Sequence, residues 1–215
     1  MSALLFDPTC RRCPRLAAFR EDSGLRFPGY HAAPVPAFGD DDPLWLIVGL
    51  APGMHGANRT GRPFTGDHAG IMLYKTLHEL GVSSRAESAS SDDGLRLRGV
   101  RITNAVKCLP PENKPTPAEA RSCNAFLRAE LAAHSRLQVF VALGRIAHDA
   151  ILDASGERRG AYRFAHGAEH RLPDGRWLID SYHCSRYNTQ TKRLTSDMFR
   201  TVLARAQQLA GSSSG

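Results

Sequence analysis

Four cysteines in two pairs, and two loops rich in glycine, histidine and carboxylate, carry most of the chemistry open to these 215 residues. Cys10 and Cys13 form a C-x-x-C pair, and Cys108 and Cys123 are separated by 14 residues across a proline-rich stretch. Four thiolates from two distant segments can ligate zinc tetrahedrally or hold an iron–sulfur cluster, and spacing alone does not separate the two. A redox pair fits less well, because such motifs follow a strand and Cys10 and Cys13 sit in an irregular N-terminal stretch. Cys108 or Cys123 could also be a small buried hydrophobe, but two pairs favour a metal centre. The fifth, Cys184, stands beside His183 and reads as a pocket wall rather than a ligand.

The first loop, Gly49-Leu-Ala-Pro-Gly-Met-His-Gly-Ala-Asn-Arg-Thr-Gly-Arg-Pro-Phe-Thr-Gly-Asp67, has five glycines in nineteen residues. Such a loop brings backbone N–H groups close to a ligand. It lacks both the Gly-Lys-Ser/Thr ending and the G-x-G-x-x-G spacing of phosphate loops, which disfavours nucleotide binding. Phe64, in a polar and glycine-flanked stretch, is either a core anchor or a stacking platform for a planar base. Asp67 could orient an attacking water and stabilise positive charge, or simply cap the helix that follows it. His55, Asn58 and Arg59 could line a pocket, touch a nucleic-acid backbone, or fix the loop's own shape. His183 opens the second loop and could polarise a bound group or be a buried structural histidine. His68, His148 and His166 read as core or surface residues.

The elements around these loops imply an α/β fold. Apolar runs predict strands at 44–50, 100–106 and 137–143, and helix-like spacing predicts helices at 69–80, 116–134, 144–152 and 196–209. In the second helix Thr116 can cap, Pro117 takes the first helical position and Glu119 completes a capping box. Segments 170–172 and 177–181 read as two strands around Pro173-Asp174-Gly175. Residues 83–94 are polar and serine-rich, as in a mobile surface loop. The first 43 residues show little periodicity and read as a wrapped segment within one domain of residues 1–210, and 211–215 (Gly-Ser-Ser-Ser-Gly) as a flexible tail. Strands alternating with helices imply a parallel sheet covered on both faces, with ligands at the carboxyl ends of its strands. The loops at 51–67, 107–115 and 183–195 all follow strands, which argues for one shared site.

Composition narrows the partners. The chain is 42% hydrophobic, enough for a full core, and carries 28 basic against 21 acidic residues for a net charge of +7, which favours an anionic partner such as nucleic acid. No apolar run reaches the roughly 18 residues of a membrane span, and no secretory signal opens the chain. A cytoplasmic, nucleoid-associated location follows as the expectation, with cysteines not paired in disulfides.

Those two loops, with Asn104-Ala-Val-Lys-Cys108 and Pro110-Pro-Glu-Asn-Lys-Pro-Thr-Pro117 between them, resemble the uracil-DNA glycosylase superfamily. The similarity is greatest to its family 5, the B-type iron–sulfur enzymes of bacteria and archaea, and spans about Cys10 to Ala210 in the same order. Family 4 shares the cluster but carries an acidic residue where this chain has Leu50. The resemblance implies a three-layer α/β/α sandwich around a central four-stranded parallel sheet, and a structural [4Fe–4S] cluster on Cys10, Cys13, Cys108 and Cys123. It implies Phe64 stacked on an extruded base, Asn104 holding that base, and a substrate pocket that includes Gly49, Ala51 and Asn58. His183 would donate to a base carbonyl. Many relatives place Asp or Asn where this chain has Ala51, and Asp67 is the acidic residue implied to take over. In the second loop Tyr187 is the implied wedge into duplex DNA, with Arg186, Asn188, Lys192 and Arg193 on the DNA. Cys184 and Arg186 replace two prolines of the commoner His-Pro-Ser-Pro pattern. The implied activity is that of a monofunctional, monomeric glycosylase. It would remove uracil, hypoxanthine and other deaminated bases from double-stranded DNA and leave an abasic site. An inactive iron–sulfur or zinc DNA-binding module is the alternative from another class.

Overall fold

The computed structural model describes residues 6–211. Strand β2 (Trp45–Gly49) is buried along its whole length, as expected of an apolar run at the centre of a parallel sheet. It lies between β3 (Val100–Asn104) and β4 (Val139–Leu143), and β6 (Trp177–Ser181) pairs with β4, all parallel. The sheet nevertheless has six strands and not four, in the order β1-β3-β2-β4-β6-β5. Short antiparallel strands β1 (Phe38–Gly39) and β5 (Glu169–Arg171) extend the four parallel strands at either edge.

Alternate residues of the central strands supply two cores. Ile47, Ile102, Val141 and Ile179 pack with helices α3 (His68–Glu79) and α7 (Ser196–Gly211). Leu46, Val48, Phe140 and Leu178 pack with α4 (Pro117–Ala133) and α5 (Arg145–Ser155). This is the expected three-layer arrangement. Thr116 and Glu119 form both bonds of a capping box, which fixes the start of α4 just beyond the proline-rich loop.

Two expectations about irregular segments change. The N-terminal stretch contains a 13-residue helix, α1 (Pro14–Arg26). Its buried face is Leu16, Ala17, Arg20 and Ser23, half of it polar, so no apolar period announces it. The serine-rich 83–94 loop is held in place from within. Arg62, buried itself, donates to Asp93 at 2.7 Å, to Ser88 at 3.0 Å and to the Ser91 carbonyl at 2.6 Å. Of the expected tail, Gly211 ends α7, and 212–215 lie outside the described residues. No helix among the described residues is long and apolar enough to cross a membrane.

Candidate active site and cysteine cluster

The chain runs from β2 to β3 on one side and reaches β4 on the other, so the strand order reverses at the carboxyl end of β2. Open α/β sheets bind ligands at that position. A cavity of about 430 Å³ lies there, its walls including Ala51, Phe64, Asp67, Asn104 and His183. Its size suits a single planar heterocycle with part of its attachment.

Glycine makes this geometry feasible. A Cβ on Gly49 would come within 2.5 Å of both Asn104 Oδ1 and Phe64 Cζ. Gly49 therefore stands behind the cavity wall, giving Asn104 and Phe64 room to reach it. Phe64 holds a left-handed backbone at φ 54°, a strained state for a bulky residue that persists only where its surroundings fix it. Tyr74 Oη donates to the Pro63 carbonyl at 2.8 Å, and the Phe64 carbonyl packs against Gly70, where a Cβ would lie only 1.8 Å away. The ring faces His183 with centroids 6.0 Å apart and planes at 27°. Asn104 is 3% exposed, and its amide has no protein partner among the described residues, which leaves a donor and an acceptor for a bound molecule.

Asp67 is both the helix cap and a cavity residue. Its Oδ1 accepts from the Gly70 N–H at 2.8 Å at the start of α3. Its Oδ2 points under the first loop, where a Cβ on Gly56 would come within 2.6 Å of it. Burial pushes the carboxyl above its ordinary value, opposed by the Gly70 N–H and by the neighbouring His68. His183 is half-buried, its ring free of protein hydrogen bonds among the described residues, and burial lowers its pKa to about 4. It is therefore a neutral imidazole near pH 7, with one N–H to donate. The Asn188 amide donates to the His183 carbonyl at 2.8 Å, and Ser185 caps the short helix α6 (Arg186–Gln190) by accepting from the Asn188 N–H.

The remaining predicted residues separate. Asn58 does not line the cavity: it is fully buried in the short helix α2 (Ala57–Thr60) and donates to Ser23 Oγ at 3.0 Å. Asn188 serves as a strut of its own loop. Arg186 borders both the cavity and an outer cleft of about 730 Å³ that continues past Asp67. Tyr187, next to Arg186, is 70% exposed, and its ring stacks on no other ring among the described residues. Lys192 is exposed, and the exposed Arg193 lies over the Tyr182 ring at 4.5 Å. Cys184 is no pocket wall but part of the core beside α7, where burial pushes its thiol up and leaves it inert. The missed residue is His68. Its Nε2 lies 2.9 Å from Thr189 Oγ1 and ties the start of α3 to α6, so the two loops are latched at the cavity mouth. A contact across 121 positions leaves no local trace in sequence.

Away from the cavity, Cys10, Cys13, Cys108 and Cys123 converge around Leu16, Val106 and Phe126. Buried Arg20 donates to Cys108 Sγ at 3.3 Å, and the Lys107 N–H donates to Cys123 Sγ at 3.3 Å. Burial pushes both thiols above their ordinary value, Cys123 to about 11, and these two contacts oppose it.

Comparison with known proteins agrees with this geometry. A family model described as the uracil DNA glycosylase superfamily matches residues 36–207. A type-5 uracil-DNA glycosylase of Thermus thermophilus is 54% identical over 207 residues, covering 94% of each chain. One from Pyrobaculum aerophilum is 43% identical over 206 residues, covering 94% of this chain and 89% of the relative. A type-4 uracil-DNA glycosylase of Thermotoga maritima is 37% identical over 116 residues, 54% of this chain.

Proposed function

The chain belongs to the uracil-DNA glycosylase superfamily and is a DNA glycosylase; we propose that it is a monofunctional one, acting as a monomer on duplex DNA. It hydrolyses the N-glycosidic bond of uracil and of other deaminated bases such as hypoxanthine, leaving an abasic site. The observation that carries this reading is the meeting of Phe64, Asn104, Asp67 and neutral His183 around one base-sized cavity.

A base inside a duplex cannot reach such a cavity, so it must first be extruded. The exposed Tyr187 fills the gap in the stack, and Arg186, Lys192 and Arg193, exposed on the same loop, meet the phosphates. Phe64 stacks on the extruded base, and the free amide of Asn104 pairs with its polar edge. As the glycosidic bond lengthens, positive charge builds on the sugar and negative charge on the base. His183 donates its N–H to a base carbonyl oxygen and stabilises the departing anion, which asks for no protonated imidazole. The Asp67 carboxylate accepts a proton from the attacking water and steadies the sugar cation. Ala51 leaves the wall opposite small and apolar, and this widened pocket supports acceptance of purines as well as uracil.

The cysteines would hold a [4Fe–4S] cluster whose part is structural, fastening α1 to the sheet. Duplexes carrying uracil or hypoxanthine, incubated with the protein and then treated with alkali, should yield cleaved strands from both substrates. Binding without alkali-labile sites would instead favour the DNA-binding module, and activity on uracil alone would narrow the substrate range.

A further inference from the structure

Toward the edge of the sheet, among residues that line neither the cavity nor the cysteine cluster, three titratable side chains meet. Asp180 on β6 and His148 on α5 are fully buried, and the side chain of His170 on β5 is 16% exposed. His148 Nδ1 lies 2.7 Å from Asp180 Oδ1, and His170 Nε2 lies 3.4 Å from Asp180 Oδ2. One ligand atom from each residue falls within 4.8 Å of the other two. The active-site chemistry uses none of them.

The surroundings of His148 pose a problem that a metal ion solves. Its second nitrogen, Nε2, faces the Tyr162 carbonyl oxygen at 3.2 Å, so both ring nitrogens point at acceptors. A neutral imidazole has only one N–H, and its other nitrogen would then set a lone pair against an oxygen. We propose that His148 Nδ1, His170 Nε2 and the Asp180 carboxylate form a binding site for a divalent transition-metal ion of the zinc type. The ring then stays neutral and donates Nε2–H to the Tyr162 carbonyl, the outer contact that metal-bound histidines commonly make. The carboxylate has its own outer support, since the Ala165 N–H donates to Asp180 Oδ2 at 3.4 Å. Phe164 and Tyr162 set their rings edge-on against His148 and His170.

Two imidazoles and one carboxylate favour zinc and its neighbours over magnesium or calcium, which take all-oxygen sites. Three protein ligands leave one tetrahedral position for water, on the side of the partly exposed His170. The ion would clasp α5, β5 and β6 together, three residues before His183 on the same strand end. The competing arrangement is a buried ion pair between a doubly protonated His148 and Asp180.

The test titrates the purified iron–sulfur holoprotein with Zn²⁺ against a chromophoric chelator, with Mg²⁺ as comparison. One Zn²⁺ per chain is expected, with a thermal midpoint that rises with Zn²⁺ and not with Mg²⁺. His170→Ala, changed at the most exposed ligand, should weaken that binding by more than the roughly 100-fold that loss of an outer partner costs, with iron content unchanged. Equal zinc uptake by wild type and His170→Ala would overturn the proposal. So would the absence of uptake, with ¹⁵N spectra showing both His148 nitrogens protonated.

Discussion

Asp67 caps a helix with one oxygen and turns the other under the first loop beside the cavity, so its two roles can be separated by a single atom. Asparagine caps helices as well as aspartate does but carries no charge. Asp67→Asn should therefore keep α3 and the affinity for duplex DNA while slowing excision about 100-fold or more, the usual scale for a lost general base. Unchanged excision in single-turnover assays would return Asp67 to the role of a cap alone. The pH dependence follows from the signs. Burial raises Asp67 above 3.8, and the carboxylate acts only when ionised, so excision should fall on acidification through a midpoint above 3.8. His183, lowered to about 4, is neutral near pH 7 and adds no limb there. A folded-state pKa raised above the unfolded value means that stability is lost as pH rises through it. Asp67→Asn should accordingly melt at or above the wild-type temperature at pH 7, as charges placed for catalysis often cost stability. At this scale Phe64, Asp67, Asn104 and His183 were legible because each sits in or beside a motif whose residue types state their chemistry. Asn58, Asn188 and Cys184 carry equally suggestive side chains within the same motifs. Their orientation toward α1, a loop carbonyl and the core depends on packing that sequence does not display.

Among the elements, α3 and α6 hold the two halves of the site. Gly70 occupies the first turn of α3, where alanine is ordinarily the better helix former by about 1 kcal/mol. Here the new methyl would have to sit 1.8 Å from the Phe64 carbonyl. Gly70→Ala should therefore lower the melting temperature and, by displacing the Phe64 ring, reduce excision, whereas a gain in stability with intact activity would refute the close approach. On α6, Tyr187→Ala should slow excision from duplex far more than from single strand, because only the duplex must be opened. Equal slowing on both substrates would sink the wedge. The long elements were legible, since apolar runs mark β2, β3 and β4 and the capping box marks α4. The two- and three-residue edge strands lack the length to show a period. Helix α1 turns polar Arg20 and Ser23 inward, and α6 has no buried residue at all, so neither displays an apolar stripe.

For the molecule as a whole, the cysteine cluster and the cavity are separate in space yet joined through α1. Cys13 stands at the N-cap of α1, Arg20 of the same helix donates to Cys108 Sγ, and Ser23 near its end accepts from Asn58 in α2. Helix α2 belongs to the loop that arches over Asp67, so the cluster holds one end of a lever whose other end shapes the base pocket. Cys13→Ser isolates this linkage, because serine is itself a good N-cap and should strengthen α1 if capping were all that mattered. With a ligand of the proposed cluster removed, the melting temperature should fall instead, by about 2–4 °C for each kcal/mol lost in a chain of this size. Trypsin should cut more readily at the arginines of α1, and the KM for uracil duplex should rise more than kcat falls, since Asp67 and His183 stay in place. A variant that has lost its iron yet shows unchanged melting, proteolysis and KM would mean that the pocket loop stands without the cluster. The lever through Ser23 and Asn58 would then be only a packing contact.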